Sequence, residues 1–187
     1  IVFVYIQIIC IFEFKIINME PGQIFDKLQN NQNVFRSLLA NKSTDEILWR
    51  PQPEKWNLLE IVCHLYDEER EDFRARVNHV LHTPNEKMKP YDPIALVEQH
   101  EYAKREYHQV LADFLEEREN SISWLRSLKN PKWDNFYSHP KLGKMSALLF
   151  LTNWLAHDYL HLRQILRYQY LFLKEKTTID LQYAGTW

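Results

Sequence analysis

The chain has 187 residues, only three of them glycine, and a formal net charge of −2. That length makes one domain with enough chain to bury a core, while the weak, mixed charge gives nucleic-acid binding no electrostatic support. Two cysteines, Cys10 and Cys63, are too few for a disulfide framework.

Residues 1–17 are rich in Ile, Phe and Val and are broken only by Gln7, Glu13 and Lys15. The run is short and interrupted for a membrane span. It also has neither the basic start nor the small-residue cleavage site of a signal peptide. Met19 precedes a sensible domain start, so residues 1–18 are expected to be an upstream-translated extension and 19–187 the domain. Nothing in 19–187 reads as a membrane or export signal, which leaves the cytoplasm as the expected compartment.

The first predicted helix covers Pro21 to Leu39, with Ile24, Leu28, Phe35, Leu38 and Leu39 on one stripe. Pro51 and Pro53 make the following stretch a linker. Asn57 with Glu60 three residues on is a capping-box variant and starts a second helix that runs to about Leu81. Its inner side carries Ile61, His64, Leu65, Glu68 and Asp72, while Arg70, Arg74 and Arg76 are expected to face water or to partner the nearby acids. Pro84 and Pro90 mark a loop from Thr83 to Tyr91. Asp92-Pro93 then reads as an N-cap plus first-turn proline. The third helix is predicted to reach about Lys129, with a break near Gln99 to Tyr102 and a stripe including Leu111, Phe114, Leu115, Ile122 and Leu125. A second loop holds Pro131, Trp133, His139, Pro140 and Gly143, and a fourth helix spans about Lys144 to Leu173. With no Asn-Gly or Asp-Gly pair to signal a tight hairpin, the fold class is all-α, a four-helix bundle.

The chemistry concentrates on histidine. His157 and His161 stand four apart and share a helical face with Phe150, Trp154, Ile165 and Tyr168. That spacing offers two imidazoles to one cation, and His64 can supply a third from across a bundle, leaving a fourth position open. Among eight histidines one such pair is unsurprising, so the spacing alone leaves two ordinary helical histidines as the alternative. A di-iron bundle needs Glu-x-x-His motifs, which are absent. A zincin needs Glu directly after its first His, where this chain has Asp158. The surviving metal reading is a mononuclear three-His site for zinc, nickel or iron. Glu68 is the candidate catalytic residue: four after His64, it can orient a bound water, act as a base or support a ligand. A buried salt bridge to Arg163 or Arg167 is its alternative. Gln164, three after His161, can hydrogen-bond a ligand or be merely exposed. Cys63 reads as core packing.

The pattern Trp56-Asn57-x2-Glu60-x3-His64-Leu65, Tyr91-Asp92-Pro93, His139-Pro140-x2-Gly143 and His157-Asp158-x2-His161-Leu162-x-Gln164-Ile165 resembles the DinB-like superfamily. The terminal Tyr183-Ala184-Gly185-x-Trp187 is similar to many of its bacterial members, and the resemblance covers about residues 20–187. It implies an up-down-down-up four-helix bundle with a divalent metal, usually zinc or nickel, on His64, His157 and His161. It also implies a metal-dependent thiol S-transferase of the bacillithiol type, with a low-molecular-weight thiol and a small electrophile as partners. Homodimers and stress-linked expression are common in the family. A non-enzymatic stress-associated metal or interaction protein, and a metal-dependent hydrolase, stay open as alternatives.

Overall fold

The structure is a computed structural model that describes residues 19–186. The expected extension, residues 1–18, lies outside them. The chain is mostly helical. Helix α1 spans Pro21–Leu39, with its proline in the first turn, where a missing N–H costs nothing. A five-residue helix, α2 (Thr44–Leu48), follows and ends just before the expected linker at Pro51 and Pro53. Ser43 and Glu46 cap it reciprocally, a signature present in the sequence but overlooked.

Helix α3 (Leu58–Asp67) starts as expected. Asn57 Oδ1 accepts from Glu60 N at 3.0 Å, and Glu60 Oε2 accepts from Asn57 N at 2.9 Å. The expected single helix is then interrupted by a π-helical segment, Glu68–Phe73, before it resumes as α4 (Arg74–His82). The third predicted helix divides more completely than expected. Helix α5 (Pro93–Gln99) is capped by Asp92, a 3-10 turn covers Tyr102–Lys104, and α6 runs Tyr107–Ser127.

The expectation of a plain loop near Gly143 is corrected. Strand β1 (Phe136–His139) pairs antiparallel with β2 (Gly143–Ser146), and His139 lies opposite Gly143. The connection is the three-residue loop 140–142, with Gly143 at φ +75°. Three-residue hairpin loops place a residue in the left-handed region, which glycine adopts without penalty. The signal was therefore the lone Gly143 rather than a two-residue Asn-Gly turn. Lys144 belongs to this strand, so the last long helix, α7 (Ala147–Thr177), begins later than expected, capped by Ser146.

Four long rods form the bundle: α1, the α3–α4 rod, α6 and α7. Helix α1 packs on α6 and α7, α3 packs on α6, and α4 packs on α7. The apolar core is split in two. One cluster gathers Phe35, Leu39, Ile61, Leu65, Phe114 and Ile165. The other gathers Ile24, Leu28, Val77, Ile122, Leu151 and Trp154. Each such side chain contributes on the order of 1.5–3 kcal/mol of burial. Between the two clusters lie buried polar residues, Asn31, Arg118 and Asp158 among them, and the histidines of α7 stand at that level. No helix among the described residues is long and apolar enough to cross a membrane.

Candidate metal centre

Helix α3 delivers His64 and α7 delivers His157 and His161 to one point. His64 Nε2 lies 3.3 Å from His157 Nε2, and His161 Nε2 lies 3.1 Å from the same atom. The three donor atoms all fall within 4.8 Å of one another. Four ligands held tetrahedrally at about 2.0–2.1 Å from a cation stand about 3.3 Å apart, so the spacing fits a shared divalent ion. The rings are fixed from outside. Gln164 Oε1 accepts from His161 Nδ1 at 2.9 Å, which places that ring's proton on Nδ1 and leaves Nε2 with its lone pair. The Trp56 ring packs on His64 at 4.9 Å and the Phe73 ring on His157 at 5.1 Å. Buried His64 Nδ1 has no hydrogen-bond partner among the described residues. Burial pushes the His64 pKa down to about 3 and the His157 pKa down to about 2, with neighbouring histidine charge adding to both. His161 is lowered by burial as well. All three therefore stay neutral at pH 7, the form in which imidazole binds metals.

Glu68 Oε1 lies 3.7 Å from His64 Nε2, beyond direct hydrogen-bond range but within reach through one small bound molecule. Burial raises the Glu68 pKa, and the nearby Asp72 carboxyl raises it further. Asp72 is itself raised by burial, against the pull of Arg76. The expected alternative is not seen: Arg163 and Arg167 are exposed, and among the described residues neither forms an ion pair with Glu68.

The π segment explains how so many acids turn inward. A π turn holds one more residue than an α turn and re-aims the side chains beyond it. Asp67, Glu68 and Glu69 are consecutive, and all are buried. Asp67 accepts from His100 Nδ1 at 2.8 Å and Tyr102 OH at 2.6 Å. Glu68 faces His64. Glu69 accepts from Arg118 Nε at 2.9 Å and Trp154 Nε1 at 3.0 Å. Arg118 also clamps Asp158 through two bonds of 2.7 and 2.8 Å, and Asn31 Nδ2 donates to the same carboxylate at 3.0 Å. This network ties α1, the π segment, α6 and α7 together, and Asp158 sits between the two α7 histidines. Burial opposes charge on Arg118, but Asp158 and Glu69 outweigh it and raise its pKa. Sequence reasoning missed Arg118 and Glu69. The signal was available: Arg118 falls seven residues after Leu111 and four before Ile122, on the apolar stripe of its helix.

Other candidates resolve as structure. Asp67, Glu71 and His100 also lie within 4.8 Å of one another. Arg70 occupies that cluster, pairing with Glu71 at 2.9 Å and Asp67 at 3.4 Å, so a cation is already supplied by the chain. Cys63 is buried, and burial pushes its thiol up to about 12, an inert packing residue as expected. The remaining arginines of the rod take the second of their two expected settings and partner acids, Arg74 with Glu117 and Arg76 with Asp72. A cavity of about 490 Å³ opens beside the histidines, lined by His157, Phe73, Phe150, Met145 and Asp72 among others. A separate cleft of about 470 Å³ between the Thr83–Tyr91 loop and the hairpin is lined by no histidine or cysteine.

These features accord with comparisons to known proteins. No curated protein sequence is significantly similar to the chain. Among solved structures, YfiT from Bacillus subtilis, described as a probable metal-dependent hydrolase with an unusual four-helix bundle topology, superposes with a TM-score of 0.71. It is 15% identical, and the match covers 87% of this chain and 92% of that one. At that identity the likeness establishes the shared fold. The DinB superfamily profile matches residues 27–165, most of the chain, and the chain belongs to the DinB superfamily.

Proposed function

We propose that His64, His157 and His161 hold one divalent cation, zinc in the first instance, and that the protein is a metal-dependent enzyme that joins a low-molecular-weight thiol to a small electrophile. The observation that carries this reading is the convergence of three neutral imidazoles, His64 buried and His157 and His161 half-buried, with His157 Nε2 at 3.3 and 3.1 Å from the other two rings, beside a cavity of about 490 Å³. A cation held there supplies Lewis acidity that lowers the pKa of a coordinated thiol or water. The chain's own residues supply the rest. Gln164 and the Trp56 and Phe73 rings orient the ligands. Glu68, backed by Asp72, accepts the proton released by the nucleophile. Phe73, Phe150, Met145 and Leu149 keep water from the electrophile and leave room for two reactants. The Cys63 thiol takes no part.

A second reading is a hydrolase, favoured by the Glu68 carboxylate at 3.7 Å from His64 Nε2, a distance that suits positioning of a water. It also agrees with the description of YfiT. Elemental analysis and a two-armed assay separate the outcomes. Metal-supplied protein should carry about one divalent ion per chain and should conjugate members of a thiol panel to a fluorogenic halide, with His64→Ala inactive. Ester or amide hydrolysis without thiol conjugation moves the function to the hydrolase. Failure of the wild type to retain any divalent metal overturns both readings.

A further inference from the structure

The cavity beside the histidines does not end in apolar side chains. It shares Arg76, Tyr91 and His139 with a second cleft of about 350 Å³, which is further lined by Lys87 and Lys89. The lining of that second cleft includes no acidic side chain, although the chain as a whole carries more acids than bases. We infer that the joined clefts bind a substrate with an apolar body and an anionic end, a carboxylate or a phosphate, held between the Thr83–Tyr91 loop and the hairpin by Lys87, Lys89, Arg76 and His139. The inference deepens, and rests on, the proposal that the reacting end of the substrate meets the three histidines.

Three details carry it. Arg76 spans both clefts and is rigidly held: its Nε pairs with Asp72, its Nη1 contacts Met88 Sδ at 2.9 Å, and its guanidinium lies 5.7 Å from the Phe150 ring centre. That arrangement leaves Nη2 donors for a ligand. His139 Nδ1 accepts from the backbone N–H groups of Lys141 and Leu142 at 3.2 and 3.0 Å. A neutral imidazole that accepts at Nδ1 must carry its proton on Nε2, so the hairpin tip turns His139 into a fixed donor. Lys87 forms no ion pair among the described residues, and Lys89 has only a 3.7 Å approach to Glu71 with its side chain 82% exposed. The Lys87 charge is therefore unpaired among the described residues and that of Lys89 only loosely engaged by Glu71, and the wall between that point and His157 is largely apolar, with Leu142, Met145, Leu149 and Phe150.

The test uses full-length protein, metal-free and zinc-loaded, and titrates 6-mercaptohexanoate against 6-mercaptohexanol by calorimetry. The carboxylate should bind roughly five- to tenfold more tightly in both forms, the size of one partly exposed charge pair. The double variant Lys87→Ala/Lys89→Ala should bring the preference below about twofold while leaving the neutral thiol's affinity unchanged, and His139→Ala should separately bring the preference below about twofold. Hexyl phosphate run alongside assigns the anion: tighter binding than the carboxylate points to phosphate, weaker to carboxylate. Equal affinities for the two thiols, no binding of either, or a preference that survives both variants overturns the anion subsite. Zinc that tightens both thiols equally without a carboxylate preference leaves the metal proposal standing and the subsite refuted. A carboxylate preference with no effect of zinc does the reverse.

Discussion

Replacing Arg118 by methionine would keep most of the side-chain volume and remove the one cation that, among the described residues, pairs with two buried carboxylates, Glu69 and Asp158. Removing one partner of a buried ion pair costs about 3–5 kcal/mol, because the remaining charge stays desolvated. The stranded carboxyls have one escape, which is to take up protons. At about 1.36 kcal/mol per pH unit, neutralising a glutamate of ordinary pKa costs about 3.7 kcal/mol at pH 7 and about 1 kcal/mol at pH 5. The donors that remain, Trp154 Nε1 to Glu69 and Asn31 Nδ2 to Asp158, hold part of the charge in place. In the variant the folded-state carboxyl pKa lies above its unfolded value, so the folded form binds more protons and gains stability as pH falls. The stability deficit against wild type should therefore be about 3–5 kcal/mol at pH 7 and shrink by about 2.7 kcal/mol at pH 5 for each carboxyl that becomes neutral. Urea denaturation of both proteins at the two pH values reads it directly, because contributions common to both, including those of the histidines, cancel. A deficit under about 1 kcal/mol at pH 7, or one that does not change between pH 7 and pH 5, would refute the reasoning.

In metal-free protein the His64 and His157 rings should each cost about 2 kcal/mol at pH 5 relative to neutral pH, because their pKa values lie near 3 and 2 when folded and about 6.5 when unfolded, so only the unfolded chain gains protons between those limits. The raised Glu68 and Asp72 carboxyls work in the opposite direction, so the share of one ring is read as the difference between wild type and His157→Gln. Identical pH dependence of the two proteins from pH 7 to pH 5 would contradict this. Gln164→Leu should weaken zinc affinity about 10- to 100-fold by freeing the His161 ring, as read by competition with a chelator, and unchanged affinity would show that Gln164 orients nothing. Glu68→Gln should retain the metal yet lower turnover by roughly 100-fold or more. Equal turnover in that variant would remove Glu68 from the reaction.

Local signals in the chain were enough for the helical class, most helix starts and the three histidines. Asn57 with Glu60, Asp92 before Pro93, and the apolar stripes act within one or two turns, so they can be read in one dimension. The i,i+4 spacing likewise determines that His157 and His161 share a face whatever lies opposite. Tertiary structure alone decided what depends on partners distant along the chain. The approach of His64 to His157 crosses 93 residues, and the Arg118–Asp158 clamp crosses 40. The π segment is another such case. Asp67, Glu68 and Glu69 are buried together where it begins, and while Glu68 faces His64 four residues back, Asp67 and Glu69 find their partners on other elements. A run of acids and arginines reads as a solvated face because burying a charge without a partner is prohibitive. Only the packed bundle supplies those partners, and with them the setting that places a carboxylate beside three neutral imidazoles.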